Sequence, residues 1–395
     1  MDRFKDARAA REWVTRHTPG WVIRFAAGSR RRGWSLVGWM RANLHIGPAR
    51  GLLRVPPSAR EFAGWGGGAI STNGQRIQQP RNPPLWHSGS LHGCFPRKGA
   101  FAEKTPRSLS LRDGVVIGSQ GLVLNTQTQL VECVCPEIGA SGWAHPVFRS
   151  TEGSGLTRLA GCWAVVSTAR ADNYYHWVFD ALPKLALYST FHFDGVIAPA
   201  TMGFQRDSLR MAGCRRVVAL DRRCRFIAEE LLVASPPGVS GNPSPWMIQF
   251  LRDTFGISGP RSGNRYLYVS RQGSRRSVTN EEDVRTFLVA RGFEIIQPGS
   301  LGFAEQVRLF SEAAVVVGPH GAGLTNLAFC PPGTRVVECF HPNYVNLCYW
   351  ALCQAAGHHY AAVAAPRSGS AGLPGRLPIE VPLVDLGKAL QALGV

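Results

Sequence analysis

Lysine is nearly absent from this sequence. Of its 44 basic residues only Lys5, Lys98, Lys104, Lys184 and Lys388 are Lys, and the other 39 are Arg. Arginine surplus beside so little lysine follows genome composition as readily as ligand selection, so the formal charge of +18 overstates a general polyanion surface. The charge is also uneven. Residues 1–60 hold 13 basic and three acidic side chains, leaving only +8 for the remaining chain. No apolar run approaches the roughly 18 residues needed to span a bilayer. The first residues, MDRFKDARAAREW, lack an apolar secretory core. A cytoplasmic protein is the expectation. There is no CxxC pair, and the ten Cys are irregularly spaced (Cys133 and Cys135, Cys348 and Cys353 are the close pairs). Buried reduced thiols fit that pattern better than disulfides or a zinc site.

Several nucleotide and hydrolase signatures are missing as well. There is no GxxxxGK[ST], no GxSxG, no HExxH and no DxD. The one Gly-rich turn departs from the dinucleotide fingerprint, because Asn326 stands where a third Gly belongs. P-loop NTPases, α/β-hydrolases, zincins and NAD enzymes all lose ground, and no carboxylate pair presents itself to a metal. Nucleic-acid binding would rest on the basic N-terminus alone, with no motif behind it.

What the chain does have is alternation. Its 395 residues exceed the size of one growing core. Residues 1–60 read as basic and partly helical, with Trp13, Trp21, Trp34 and Trp39 interleaved, a composition that suits peripheral contact with an anionic membrane. Residues 63–100 read as loop and residues from Gly114 as a hairpin. Beyond them strands and helices alternate on both sides of the Pro-rich stretch 235–245, which reads as a linker. The expected fold class is α/β with two Rossmann-like domains facing across a cleft. The expected divisions are 1–105 (basic extension and loops), 106–240 (N-terminal Rossmann-like domain), 246–365 (C-terminal Rossmann-like domain) and 366–395 (tail with a C-terminal helix).

Four stretches carry chemistry. In Val315–Asn326 a buried strand runs into the turn Gly318-Pro-His320-Gly321-Ala322-Gly323, where a helix begins. Backbone amides at such a turn, together with His320, suit a phosphate at the carboxyl edge of a parallel sheet. Tyr268–Arg276 ends a strand in a loop holding Ser270, Arg271, Arg275 and Arg276, whose guanidinium forks match phosphate oxygens. Asp172–Lys184 opens at Asn173, a helix-capping residue, and sets His176, Asp180 and Lys184 at i, i+4 and i+8. His176 over Asp180 makes a general base with its orienting carboxylate. Glu338, ending the strand of Thr334–Glu338, is placed to accept ribose hydroxyls.

Taken together, YYHWVFDALPKL, YVSR with its two following arginines, the helix NEEDV, GPHGAGLTN and PGTRVVE resemble glycosyltransferase family 61 over about residues 110–365. The resemblance implies a GT-B architecture, an inverting mechanism, little dependence on metal, and a nucleoside diphosphate sugar held by the C-terminal domain, with UDP the expected nucleotide and no cofactor. It implies that Arg271, Arg275, Arg276, His320, Gly321, Ala322 and Gly323 hold the donor diphosphate. Ser270, Thr325, Asn326 and Glu338 then face the nucleoside, and the partner is a glycan or glycolipid acceptor. Bacterial members of the family are often linked to capsular or surface polysaccharide synthesis. The alternative is a protein that binds nucleotide sugar or polysaccharide without turning it over.

Overall fold

The computed structural model describes residues 51–53, 60–61, 77–80, 82–96, 98–101, 105–126, 129–131, 156–257, 263–274, 276–367 and 377–395. The basic, Trp-bearing segment 1–50, Arg275, Cys133 and Cys135 lie outside these residues.

Two sheets organise the described chain into a mixed α/β fold. One is wholly parallel, in the order Glu294–Ile296, Arg265–Val269, Ala313–Pro319, Arg335–Phe340, His359–Ala364 and Trp86–His87. Its central strands are mostly apolar because both faces are covered, with Glu338 the buried exception. Val316 packs into one buried cluster while Val315 and Val317 pack into another on the opposite face. That second cluster is closed by the C-terminal helix Leu383–Ala392 through Leu386, Ala389 and Leu390.

The other sheet is mixed. Arg225–Ala234, Thr157–Val165, Gly195–Ala198 and Val217–Ala219 run parallel, and Arg107–Ile117 joins antiparallel on the far side of Arg225–Ala234. Leu122–Leu124 and Gln129–Val131 continue the antiparallel arm. Its strands are irregular, with a register shift between Ala228 and Glu230 and left-handed backbone at Gly161 and Asp113. Such bulges bend strands and sharpen twist. Leu122, Trp163 and Leu220 are buried together in a cluster on this sheet.

Beside these clusters, the two sheets share a third. One buried cluster runs from Val166, Trp177 and Val196 through Trp246 and Phe250 to Val316, Phe329 and Trp350. Segment 82–96, expected to be loop, supplies the edge strand Trp86–His87 and the buried Leu91. Ile77–Pro80 and Lys98–Phe101, also read as loop, pair antiparallel. Asn280, just before helix Glu281–Val289, makes no cap bond; its amide instead pairs with both the N–H and the carbonyl of Val381. Among the described residues the eight Cys are free thiols. No helix of the described residues is long and apolar enough to cross a membrane.

Candidate active site

Carboxyl ends of strands from both sheets lead into one constellation. From the parallel sheet come the loops after Val269, Pro319 and Phe340. From the mixed sheet come the segments that follow Val165 and Ala234, and these hold His176 and Ser240 respectively.

Asn173 caps the His176 segment, its side chain accepting from the Tyr175 amide at 2.9 Å. The helix opens with a normal turn, Trp177 N–H to Asn173 carbonyl, and then widens, with Leu182 N–H donating to the Trp177 carbonyl five residues back. A π-turn of this kind is costly and recurs at functional positions. Trp177, fully buried, anchors it by donating to Ser208 Oγ at 2.8 Å. Lys184, aligned by sequence with His176 and Asp180, turns away and donates to the buried Ser167 carbonyl.

His176 Nδ1 lies 2.7 Å from Asp180 Oδ2, and both side chains keep some exposure, 19% and 15%. Ser240 Oγ donates to the same carboxylate oxygen at 2.7 Å and sits 3.3 Å from Nδ1. With Nδ1 turned to the carboxylate, Nε2 is the atom left for a ligand. Ser240 comes from the stretch read as a linker, and no local signal in the sequence pointed to it.

The cationic side of the site gathers on the parallel sheet. Arg271 Nη1 donates to the His320 carbonyl at 2.7 Å, and Nε to Ser274 Oγ at 3.2 Å. Arg276 stands over the Tyr344 ring, 5.0 Å from its centroid, and the His320 ring contacts Tyr344, Tyr349 and Phe340. Burial, then the neighbouring Arg276, push the Arg271 pKa down, although a guanidinium stays charged. Among the described residues no carboxylate pairs with Arg271 or Arg276. Two partly buried cations without a counterion leave a standing demand for an anion.

The glycines of the turn make space. A Cβ at Gly321 would overlap the Arg271 guanidinium, and one at Gly323 would meet Val269 at 2.9 Å. Gly321 is extended (φ 168°), so the requirement there is room rather than backbone freedom. The amides of Gly321, Ala322 and Gly323 open the 3-10 helix Ala322–Phe329, but the space above Gly321 belongs to Arg271.

Four residues expected at the nucleoside are held elsewhere. Glu338 is fully buried; His320 Nδ1 lies 2.6 Å from one oxygen, and Tyr360 donates to the other at 2.6 Å. One oxygen faces the imidazole and the other the Tyr360 hydroxyl, so Glu338 orients His320. Asn326, fully buried, accepts from Tyr174 Oη at 2.6 Å and donates to Gln306 and to the Gly323 carbonyl, joining the two halves. Thr325 is buried 3.4 Å from the Tyr349 hydroxyl. Ser270 donates to Glu281 at 2.5 Å, which steadies the Arg271 loop.

A run of rings joins the two sides. His176 contacts Tyr175 at 5.7 Å, Tyr175 contacts Tyr349 at 5.8 Å, and Tyr349 contacts His320 at 5.3 Å. Aromatic side chains thus bridge an imidazole–carboxylate pair and a cluster of uncompensated cations. Among the described residues no three His, Cys, Asp or Glu side chains converge as a metal site.

Residues 174–337 match the family model for glycosyltransferase 61. The glycosyltransferase 61 match begins at Tyr174, takes in both sides of the site, and stops one residue short of Glu338. Curated relatives agree over a shorter span. EGF domain-specific O-linked N-acetylglucosamine transferase of Mus musculus is 31% identical over 108 residues, covering 26% of this chain and 20% of its own length. Protein O-linked-mannose beta-1,4-N-acetylglucosaminyltransferase 2 of Canis lupus familiaris is 33% identical over 114 residues, 27% of this chain and 19% of its own length; the Homo sapiens protein gives the same figures. The chain thus spans about a fifth of the length of the curated relatives it matches.

Proposed function

We propose that the protein is an inverting glycosyltransferase that moves a sugar from a nucleoside diphosphate sugar to an acceptor hydroxyl. The observation that carries the reading is the juxtaposition of His320 and of Arg271 and Arg276, which have no carboxylate partner among the described residues, with a base-like His176–Asp180–Ser240 group across Tyr175 and Tyr349. In this mechanism His176 Nε2 takes the acceptor proton as the acceptor oxygen bonds to the anomeric carbon. The bond from that carbon to the diphosphate breaks, and its electron pair leaves with the diphosphate. Arg271, Arg276 and the imidazole of His320 stabilise the departing charge. A base and a leaving-group cluster on opposite sides of the sugar suit a single displacement, which inverts the anomeric centre.

Finer parts of the reading rest on the family match and on the sequence. A GT-B arrangement, with donor contacts on the parallel sheet and acceptor contacts on the mixed one, fits the distribution of the two groups. UDP is the nucleotide and N-acetylglucosamine the first sugar to try, because the relatives carry that sugar in their names. The acceptor is a glycan or glycolipid, in surface or capsular polysaccharide synthesis. A non-catalytic nucleotide-sugar binder would have no use for the His176–Asp180–Ser240 group, which favours turnover. Thermal denaturation with a panel of nucleotide sugars in EDTA tests the proposal. Stabilisation by one nucleotide class and release of the nucleoside diphosphate with acceptor supports it; no stabilisation by any of them overturns it.

A further inference from the structure

Among the described residues the Tyr175 hydroxyl is buried without a hydrogen-bond partner. The residue is only 7% exposed, with the Gly241 backbone near the hydroxyl. Buried polar groups in native proteins are almost always paired, so one left open in the middle of a site asks what pairs with it. Rigid neighbours fix its position: His176 at 5.7 Å, Phe179 at 5.0 Å and Tyr349 at 5.8 Å between ring centroids. Burial first, then Cys348, Asp180 and Tyr349, hold its pKa well above the usual phenol value. It therefore stays an O–H, able to donate one hydrogen bond and accept another.

Its place between the two groups narrows the partner. In a single displacement the sugar ring must lie between the departing diphosphate and the base. Tyr175 lies between Tyr349, which contacts His320, and His176. We propose that the Tyr175 hydroxyl binds the transferred sugar, through a ring hydroxyl or acetamido group, and so tells a nucleotide sugar from the bare nucleotide. The inference rests on the glycosyl-transfer reading above and adds to it a residue that selects for the sugar. A site built to hydrogen-bond a substrate group discriminates against ligands lacking it, because its own polar atom is then left unpaired.

Tyr175→Phe removes the hydroxyl and keeps the ring. The measurement is binding of UDP and of UDP-N-acetylglucosamine (or whichever UDP-sugar of the panel binds tightest) to wild type and variant, with the ligand-free melting temperature beside it. UDP affinity is expected to hold within about twofold, while affinity for the UDP-sugar falls about three- to tenfold, as for loss of one neutral hydrogen bond. The ligand-free variant should melt no lower than wild type, since the hydroxyl makes no hydrogen bond among the described residues. An unchanged ratio of the two affinities overturns the inference, as does a lower melting temperature with parallel loss of UDP binding, which would make the hydroxyl structural. Wild-type protein that binds neither ligand overturns the glycosyl-transfer reading itself, a result distinct from either.

Discussion

At the scale of single residues, the His320–Glu338 pair makes the strongest demand on the fold. Removing the imidazole leaves a fully buried carboxylate with Tyr360 alone as partner. Breaking a buried pair in this way costs about 3–5 kcal/mol. His320→Ala is therefore expected to lose both transfer and stability. The double variant His320→Ala/Glu338→Gln should regain stability without regaining transfer, as read by urea denaturation beside turnover. Asp180→Asn is a milder change, because the His176–Asp180 pair is partly solvated. It should lower turnover by about 10²- to 10⁴-fold, the range for loss of general base assistance, with little change in melting temperature. The His176–Asp180 pair was legible in the sequence because spacing of four on a helix is a local rule. Ser240 and Tyr349 were not, since each reaches the site through tertiary folding, and the ribose role read for Glu338 missed that His320 turns back onto it.

At the scale of elements, the Gly-rich turn and its helix hold the cationic cluster in place. Gly321→Ala keeps an allowed backbone but pushes a methyl into the Arg271 guanidinium. Donor KM should rise while the far-UV spectrum stays unchanged. Farther along, His358 Nε2 lies 2.9 Å from the carbonyl of Leu327, tying that helix to the start of strand His359–Ala364. Burial lowers the His358 pKa from 6.5 to about 4. A depressed folded-state pKa means the unfolded chain takes up the proton first, so this contribution is present above pH 6.5 and is lost as pH falls toward 4. The loss amounts to about 3 kcal/mol. Denaturation midpoints of wild type and His358→Asn between pH 7 and 4 check this, with the variant showing the shallower dependence. Strands of the parallel sheet were readable as apolar runs between helices. The irregularity of the other sheet was not, because the register shift between Ala228 and Glu230, opposite the left-handed Gly161, leaves no periodic trace.

At the scale of the molecule, the shared buried cluster joins what the sequence divided at 235–245. Two sheets packed on one core should unfold together. Denaturation followed by tryptophan fluorescence and by circular dichroism should give coincident single transitions; two separated transitions would show independent halves. Within the described residues Arg271 and Arg276, which lack carboxylate partners, stand beside His320 at the site. Calorimetric titration of UDP into wild type and Arg271→Ala, in EDTA, tests that claim most directly. Loss of one charge-assisted contact predicts about 10- to 100-fold weaker binding in the variant. Equal affinity in the two proteins would contradict the account.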